Sequence, residues 1–507
     1  MQPSKRAISK GPKYCKHRKM KSLVFQAAIF IACACCAPAQ PQVVSLSVVA
    51  MDKQGQPVTD LEAEDFQVQD DGKSQPIVLF HVNDHRHPAT AAPRPHEYTN
   101  RLPGTPIGAT IILFDLLNGS FADREYMVGT LVKALSNVES PGNVYLYLLT
   151  NNGTLFPIHA LPERGADAEA PDQNWTSQTK PLLDAAIQKV YGFRPVDDRD
   201  IGVRVVTTFK VLRDLGGELS TLPGRKNVVW ITNGFPIQAN FGGLCRNIVV
   251  WNVTAPCTGN FVDFTPVVRY MAGQLDAVGV SMYPVDEWNV DGGDRMMVKE
   301  TLDQFAGMTA GRAYVSGGTK AAIPDALQAL HLSYTIAYQP APKSWDGKYH
   351  KVKLSCTRKG VQLQFEQGYV AAPPVDETST LMRVAASGNS DLSAIGLRAT
   401  VTPGATPHSV RIQLQIDPSN LTIVQQNGRY AGQLAVMYVG LTAQGAKQLA
   451  KPASLTLDWT GQQYDSVAKD GIAVAEDLAA PEGVRHVRIV IVDPRSNQVG
   501  SLTVPVS

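Results

Sequence analysis

The chain has 507 residues, of which 44% are hydrophobic and 18% charged. A chain of this length can bury substantial cores and should hold two or three domains. The formal net charge is +2, but eight Lys and Arg residues and no acidic residue lie in residues 1–39, which leaves 39 basic and 45 acidic residues beyond them. We expect no nucleic-acid partner, because that function needs a positively charged surface.

The N-terminal residues have the pattern of a secretory signal peptide. The basic start precedes an apolar stretch of 14 residues, 23–36, and then Ala37-Pro38-Ala39. This order predicts cleavage after Ala39. The stretch is too short to cross a bilayer comfortably, so we expect no stable membrane span after cleavage. The predicted location is the periplasm, the outer envelope or the exterior. A lipoprotein signal, a start at Met20 and a buried N-terminal helix are the alternatives.

The mature chain would keep three of the seven cysteines: Cys245, Cys257 and Cys356. An oxidising compartment permits a disulfide between Cys245 and Cys257 that closes a short loop. Cys356 is interpreted as a buried thiol on a strand. Three cysteines are too few for a fold held together mainly by disulfides.

The pattern of apolar residues divides the mature chain into five segments. Strands with hairpin turns, such as Asp71-Gly72, indicate a small β-rich unit at 42–82. Apolar stretches then alternate with amphipathic ones over 107–370, and a period of two returns over 380–507. The predicted segments are a β-rich unit (42–82), a Pro-rich linker (83–106), an α/β domain (107–370), a linker (371–379) and a β-sandwich (380–507).

The alternation over 107–370 predicts a mostly parallel sheet covered by helices on both faces. The predicted fold class is therefore α/β: a central doubly wound, mostly parallel, Rossmann-like sheet, flanked by the small N-terminal β unit and the C-terminal β-sandwich. The predicted strands are 109–115, 144–150, 227–232, 279–285, 313–315 and 334–338. The predicted helices are 122–138, 179–190, 202–215, 262–278, 299–306 and 322–330.

Several short motifs follow one another along residues 42–372. They are Val58-Thr-Asp-Leu-Glu-Ala-Glu-Asp-Phe66, Asp71-Gly72-Lys73, Phe114-Asp-Leu-Leu-Asn118, Leu222-Pro-Gly-Arg-Lys-Asn-Val-Val-Trp-Ile-Thr-Asn-Gly-Phe235, Tyr283-Pro-Val-Asp286, Thr309-Ala-Gly-Arg312, Tyr334-Thr-Ile-Ala-Tyr-Gln-Pro340 and Gly368-Tyr369. In this order they resemble a von Willebrand factor type A domain protein of the bacterial secreted VWFA-related family, of acidobacterial type.

Type A domains often carry a metal-ion-dependent adhesion site, in which a D-x-S-x-S loop, a threonine and a second aspartate bind Mg²⁺. By resemblance, Asp115 matches the first aspartate, but the two serine positions fall on Leu117 and Gly119. Ser120 lies beside them, and Asn233 stands in the place of the second aspartate.

The threonine loop should lie within 193–202, which contains Asp197, Asp198 and Asp200 but no threonine. Mg²⁺ needs several hard oxygen ligands in octahedral geometry. The resemblance therefore implies a degenerate site made of Asp115, Ser120 and Asn233, with weak Mg²⁺ or Ca²⁺ binding or none, and no other cofactor. In the alternative interpretation, Asp115 and Asn118 cap the following helix and bind neighbouring loops.

The segment 235–261 is long for a connection at the carboxyl edge of a sheet. Long loops at such an edge usually carry binding residues. A disulfide-tied lid that packs on its own domain is the alternative.

No catalytic motif is present in the sequence, and His159, His331 and His350 are interpreted as structural. We predict an exported, non-catalytic binding or adhesion protein with an unknown protein partner. The alternatives are a cation-dependent adhesin that uses Ser120 and the 197–200 loop, an envelope enzyme, and a structural component of a surface complex.

Overall fold

The computed structural model of the chain describes residues 43–84, 94–101, 108–118, 124–138, 143–161, 175–190, 201–287, 295–315, 318–341, 345–371, 378–388, 390–426, 428–449 and 452–506. The predicted signal peptide with its cleavage site after Ala39 lies outside these ranges. Ser120 and the predicted 197–200 loop also lie outside them.

The described residues form 29 strands and eight α-helices. Strands β1–β5 are Val44–Met51, Phe66–Asp70, Lys73–Gln75, Ile77–Asp84 and Glu97–Thr99. Strands β6–β9 are Ala109–Asp115, Val144–Leu149, Leu155–His159 and Lys226–Thr232. Strands β10–β16 are Gln238–Asn240, Ile248–Val250, Val253–Ala255, Cys257–Thr258, Phe261–Asp263, Val280–Asp286 and Tyr314–Val315. Strands β17–β20 are Leu332–Tyr338, Tyr349–Cys356, Gln362–Gln364 and Gly368–Val370. Strands β21–β29 are Leu397–Pro403, Ser409–Ile416, Val424–Gln426, Arg429–Thr442, Gly445–Gln448, Ala453–Thr460, Ile472–Ala479, His486–Asp493 and Gln498–Pro505. Helices α1–α8 are Arg124–Leu135, Thr179–Val190, Ile201–Leu219, Thr265–Ala277, Arg295–Met308, Thr319–His331, Thr378–Ser387 and Gly461–Asp470. None of these helices is long and apolar enough to cross a membrane.

One six-stranded sheet has the order β16-β15-β9-β6-β7-β8. Its first five strands are parallel, and β8 is antiparallel to β7. Strands β6, β7, β9 and β15 are buried along their whole length, as expected of parallel strands covered on both faces. Helices α3, α4 and α5 pack on one face, and α1, α2 and α6 on the other.

The predicted strand 334–338 does not join that sheet. Strand β17 lies between β1 and β4 and is antiparallel to both, with Val44 opposite Tyr338 and Leu332 opposite Asp84. Its inward side chains, including Tyr334 and Ile336, pack with Leu46 and Phe66 in a separate core. Strand β1 therefore pairs with a strand that lies almost 300 residues later in the chain.

The C-terminal residues form two antiparallel sheets that share one core. The first has the order β27-β22-β21-β5, and the second has the order β23-β24-β28-β29 with β25 and β26 also paired to β24. Ile412 and Leu414 of the first sheet pack with Leu434, Ile489 and Leu502 of the second. The edge strand β5 comes from the segment that the sequence predicts as a linker.

The predicted fold class, α/β with a central doubly wound parallel sheet, is wrong for this chain. Among the described strands, parallel pairing is confined to β15–β16, β9–β15, β6–β9 and β6–β7, whereas every other paired strand is antiparallel. The chain is therefore β-rich and mainly antiparallel. The physical reason is the alternation of buried and exposed side chains along strands such as β18 and β22, because strands with one buried face pair readily in antiparallel sheets.

Asn100 fastens the β5 segment to the C-terminal sheets. It is buried, and its amide donates hydrogen bonds to the carbonyl oxygens of Leu392 (2.7 Å) and Ile395 (2.9 Å). Its Oδ1 accepts one from the backbone N–H of Leu397 at 2.8 Å.

We expect Asn100→Ala to lower the free energy of unfolding by about 3 kcal/mol, because three buried backbone groups lose their partners. Urea denaturation measures this change. Exposed Asn137, whose side-chain amide donates to the carbonyl of Lys133 at 2.9 Å, is the control: Asn137→Ala should cost less than about 0.5 kcal/mol. Equal losses in the two variants would contradict the role of Asn100.

Candidate functional site

Asp115 ends strand β6 at the carboxyl edge of the parallel sheet and is almost completely buried, with 1% of its surface exposed. Oδ1 accepts hydrogen bonds from the backbone N–H groups of Leu117 and Asn118, both at 2.9 Å. Oδ2 accepts from Asn118 Nδ2 (2.8 Å), Trp230 Nε1 (3.0 Å) and Thr232 Oγ1 (2.7 Å). Five donors therefore surround one carboxylate.

The same hydrogen bonds tie three elements together. Trp230 and Thr232 belong to the neighbouring strand β9, and the Asn118 amide also donates to Thr208 Oγ1 of helix α3 at 2.9 Å. Thr232 Oγ1 in turn accepts from the backbone N–H of Gly234 at 2.8 Å. Asp115 thus fixes the turns that follow both β6 and β9.

The environment of Asp115 acts on its pKa in two directions. Burial raises the pKa above its ordinary value, while the hydrogen bonds from Asn118, Thr232 and Trp230 oppose that rise. Four of the five donors are N–H groups, which can only donate and therefore suit the charged carboxylate.

These hydrogen bonds do not suit a role of Asp115 as a direct Mg²⁺ ligand. Both of its oxygens already accept hydrogen bonds from the protein, and Leu117 supplies no side-chain oxygen. Asn233 is brought to the same edge by β9 and is buried. The third residue of the predicted site, Ser120, lies outside the described residues.

Sequence reasoning did not single out Glu287, which follows β15 at this edge. It is 1% exposed, and its Oε1 accepts hydrogen bonds from the backbone N–H (3.1 Å) and the hydroxyl of Thr319. Its Oε2 and Asn118 Oδ1 accept no hydrogen bond within the part of the chain that the structure describes. The sequence did contain a signal for Glu287, namely an acidic residue at the end of an apolar stretch. Asp286 beside it has the same signal, so the sequence does not distinguish the two residues.

The segment from Phe235 to Asp263 leaves this edge and forms small strands of its own, and we call it the excursion. A three-stranded sheet, β10-β14-β13, and the hairpin β11-β12 make up most of it. The predicted disulfide is confirmed: Cys245 and Cys257 are bonded, with 5.9 Å between their Cα atoms, and Cys356 is a free, half-buried thiol.

The excursion has two different faces. Phe235, Ile237 and Val262 are buried in the core beneath helices α3–α5. Leu244, Val249 and Phe261 of the same segment are exposed, with 85%, 64% and 47% of their surfaces accessible to solvent. The segment is thus packed on its own domain, as a lid would be, and also presents apolar side chains to solvent.

A second polar region lies at the opposite edge, where β9 and β15 begin. A cavity of about 310 Å³ there is lined by Arg225, Lys226, Asp276 and Glu366 together with Ser, Thr and Asn side chains. Burial lowers the pKa of Lys226 to about 7 and raises the pKa of Asp276 to about 7. Arg225 donates to Ser47 Oγ at 2.7 Å and to the Ala310 carbonyl at 2.7 Å. These charged groups join β1 to the parallel sheet.

Comparison with known proteins gives no close relative. No protein-family model matches the chain, and no curated protein sequence matches it. Among solved structures, the pilus adhesin SpaC from Lactobacillus rhamnosus GG in an open conformation has 8% identity and a TM-score of 0.27, over 91% of this chain and 57% of the adhesin chain. Another crystal form has 9% identity and a TM-score of 0.27, over 88% and 58%. The chain spans little more than half of the adhesin's length.

Replacing Asp115 tests its role as a buried anchor. We expect Asp115→Ala to lower the free energy of unfolding by about 3–5 kcal/mol, because several buried donors lose their acceptor. Denaturation by urea at neutral pH gives the value. The matched control is Asp214→Ala, which removes an exposed carboxylate that pairs with Lys210 and should cost less than about 0.5 kcal/mol. A loss at Asp115 no larger than at Asp214 would refute the anchor role.

Proposed function

We propose that this chain is an exported, non-catalytic binding protein that contacts a protein partner through the outer face of the excursion. The observation that carries the proposal is the exposure of Leu244, Val249 and Phe261 on a segment whose other face is buried. Exposed apolar side chains on an ordered scaffold favour protein association, since their contact with a partner removes apolar surface from water.

The excursion is also held in place before any partner binds. The Cys245–Cys257 disulfide closes it, Phe241 N–H donates to the Asn260 carbonyl at 2.8 Å, and the Arg213 guanidinium lies 4.7 Å from the ring centroid of Trp251. A rigid binding segment loses less conformational entropy on association than a flexible one. Preorganisation therefore supports recognition by this face.

Export is part of the same proposal. The disulfide supports an oxidising compartment, because structural disulfides are rare in the bacterial cytosol. The signal-peptide pattern up to Ala39 agrees with this location. We place the protein in the periplasm, in the outer envelope or outside the cell, and its family relation to type A domain proteins stays a proposal based on the sequence motifs alone.

Site-specific photo-crosslinking tests the proposed surface. With a photoreactive phenylalanine analogue at 244 or 261 in the full chain, produced in its own cells, we expect one discrete protein adduct. Positions 126 and 384 are the controls, since Tyr126 and Val384 are also exposed apolar residues (47% and 62%) but lie on helices α1 and α7. Leu244→Ser should weaken the adduct at 261, whereas Val384→Ser should not. Adducts of equal strength at all four positions, or at none, would overturn the proposed surface.

We further infer that recognition at the carboxyl edge does not require a hard cation. The five hydrogen bonds to Asp115 support this inference, because Mg²⁺ sheds its waters reluctantly and needs carboxylate oxygens free to receive it.

Calorimetric titration of the purified chain with Mg²⁺ and Ca²⁺ should therefore show no binding tighter than about millimolar. Asp115→Asn, which keeps the shape of the side chain, serves as the comparison. Micromolar affinity that disappears in Asp115→Asn would instead establish the cation-dependent adhesin, with Glu287 and Asn118 as the next ligands to test.

A further inference from the structure

A cluster of two aspartates and one histidine lies outside the excursion, at the turn between β2 and β3. Asp70 ends β2, Asp71 occupies the turn, and His350 lies on the paired strand β18. His350 Nδ1 is 3.3 Å from Asp70 Oδ1 and 3.1 Å from Asp71 Oδ2. One donor atom from each of the three residues lies within 4.8 Å of the other two.

These separations suit a shared metal ion. Zinc bonds to imidazole nitrogen and carboxylate oxygen are about 2.0–2.2 Å long, so two ligand atoms at tetrahedral or octahedral angles lie about 3.0–3.5 Å apart. The two measured separations fall in this range. Each carboxylate oxygen is therefore placed to share an ion with the imidazole nitrogen, and the donor atoms of the three residues all lie within 4.8 Å of one another.

Each of the three side chains is also held by its other polar atom. Asp70 Oδ2 accepts hydrogen bonds from the hydroxyls of Tyr369 (3.0 Å) and Tyr338 (3.3 Å). Asp71 Oδ1 accepts from the backbone N–H of Lys351 at 2.9 Å. This leaves Asp70 Oδ1 and Asp71 Oδ2 turned toward the imidazole.

The imidazole is oriented in the same way. His350 Nε2 is 3.2 Å from Asp346 Oδ1, and the other oxygen of Asp346 is 3.7 Å from Lys348 Nζ. When Nε2 carries the proton and donates it to Asp346, Nδ1 presents its lone pair to the two carboxylates. A carboxylate behind the histidine is the usual second layer of a protein metal site.

We propose that Asp70, Asp71 and His350 bind one divalent transition-metal ion of the Zn²⁺ type. An imidazole with two carboxylates favours such ions over Mg²⁺ and Ca²⁺, which prefer all-oxygen sites. The ion fastens the β2–β3 turn to strand β18. Asp70 is 4% exposed and Asp71 is half-exposed, so the ion sits at the edge of the core with an open side for water.

Calorimetric titration of the full chain with ZnCl₂ tests the proposal, in a background in which the cysteines outside the disulfide (Cys15, Cys33, Cys35, Cys36 and Cys356) are replaced by Ser, because thiolates also bind Zn²⁺. We expect one Zn²⁺ per chain with micromolar or tighter affinity, and no comparable heat with MgCl₂ or CaCl₂. The absorption spectrum of the Co²⁺-loaded chain should show the visible bands of a nitrogen- and oxygen-ligated ion.

Three variants test whether Zn²⁺ binds at this site or to other side chains on the surface. Asp71→Asn preserves the left-handed turn conformation (φ 45°) that asparagine tolerates, and should weaken Zn²⁺ binding at least tenfold. His350→Ala should abolish the binding and the Co²⁺ bands. Asp346→Asn should weaken the affinity by about tenfold to a hundredfold, as for other second-layer carboxylates.

His408→Ala is the control, because His408 is exposed in the turn between β21 and β22, and the substitution should leave the affinity unchanged. Circular dichroism of each variant confirms that it folds. The absence of Zn²⁺ binding at 100-fold excess over about micromolar chain, or binding that Asp71→Asn and His350→Ala leave unchanged, would overturn the proposal. Because Leu244→Ser does not touch this site, failure here and failure of the proposed partner surface are distinguishable.

Discussion

The structure at the carboxyl edge depends on the compensation of one buried charge, that of Asp115. A carboxylate taken out of water costs several kcal/mol unless it is paired or hydrogen-bonded. Here the compensation comes from five donors on β9 and on the turn after β6. Because β9 leads directly into the excursion, the hydrogen bonds that satisfy Asp115 also position the start of the proposed binding segment.

Local pattern was sufficient to predict this edge but not the topology of the chain. Apolar stretches that end in Asp115 and Asn233 identified β6 and β9, and both residues lie at one edge of one sheet. The stretch at 334–338 has the same local appearance, yet β17 pairs with β1 and β4. The residue composition of a strand indicates that the strand is buried, but it does not indicate which distant strand pairs with it.

The excursion likewise has one feature that the sequence predicts and one that it does not. The spacing of Cys245 and Cys257 predicted their disulfide, because a short loop in an oxidising compartment permits few other partners. Which side chains of the segment face solvent depends on how its small strands pack on α3–α5. Phe235 and Phe261 are chemically equivalent in the sequence, but one is fully buried and the other is 47% exposed. Only the packing of the folded chain determines which of the two residues lies in the core and which lies on the proposed partner surface.

Two groups of aspartates illustrate why residue type alone does not predict a metal site. Asp115 occupies the position that the type A resemblance assigns to a metal ligand, but hydrogen-bond donors surround both of its oxygens. Asp70 and Asp71 lie in a plain hairpin turn, yet the fold brings His350 to them from 280 residues away. There the tyrosine hydroxyls and a backbone N–H occupy the outer oxygens and leave two inner oxygens beside an imidazole nitrogen. A carboxylate whose oxygens all accept protein hydrogen bonds is satisfied as an anchor, whereas a carboxylate held by one oxygen keeps the other for a cation. The number and direction of the donors around each oxygen, which follow from the tertiary fold, therefore separate the two roles.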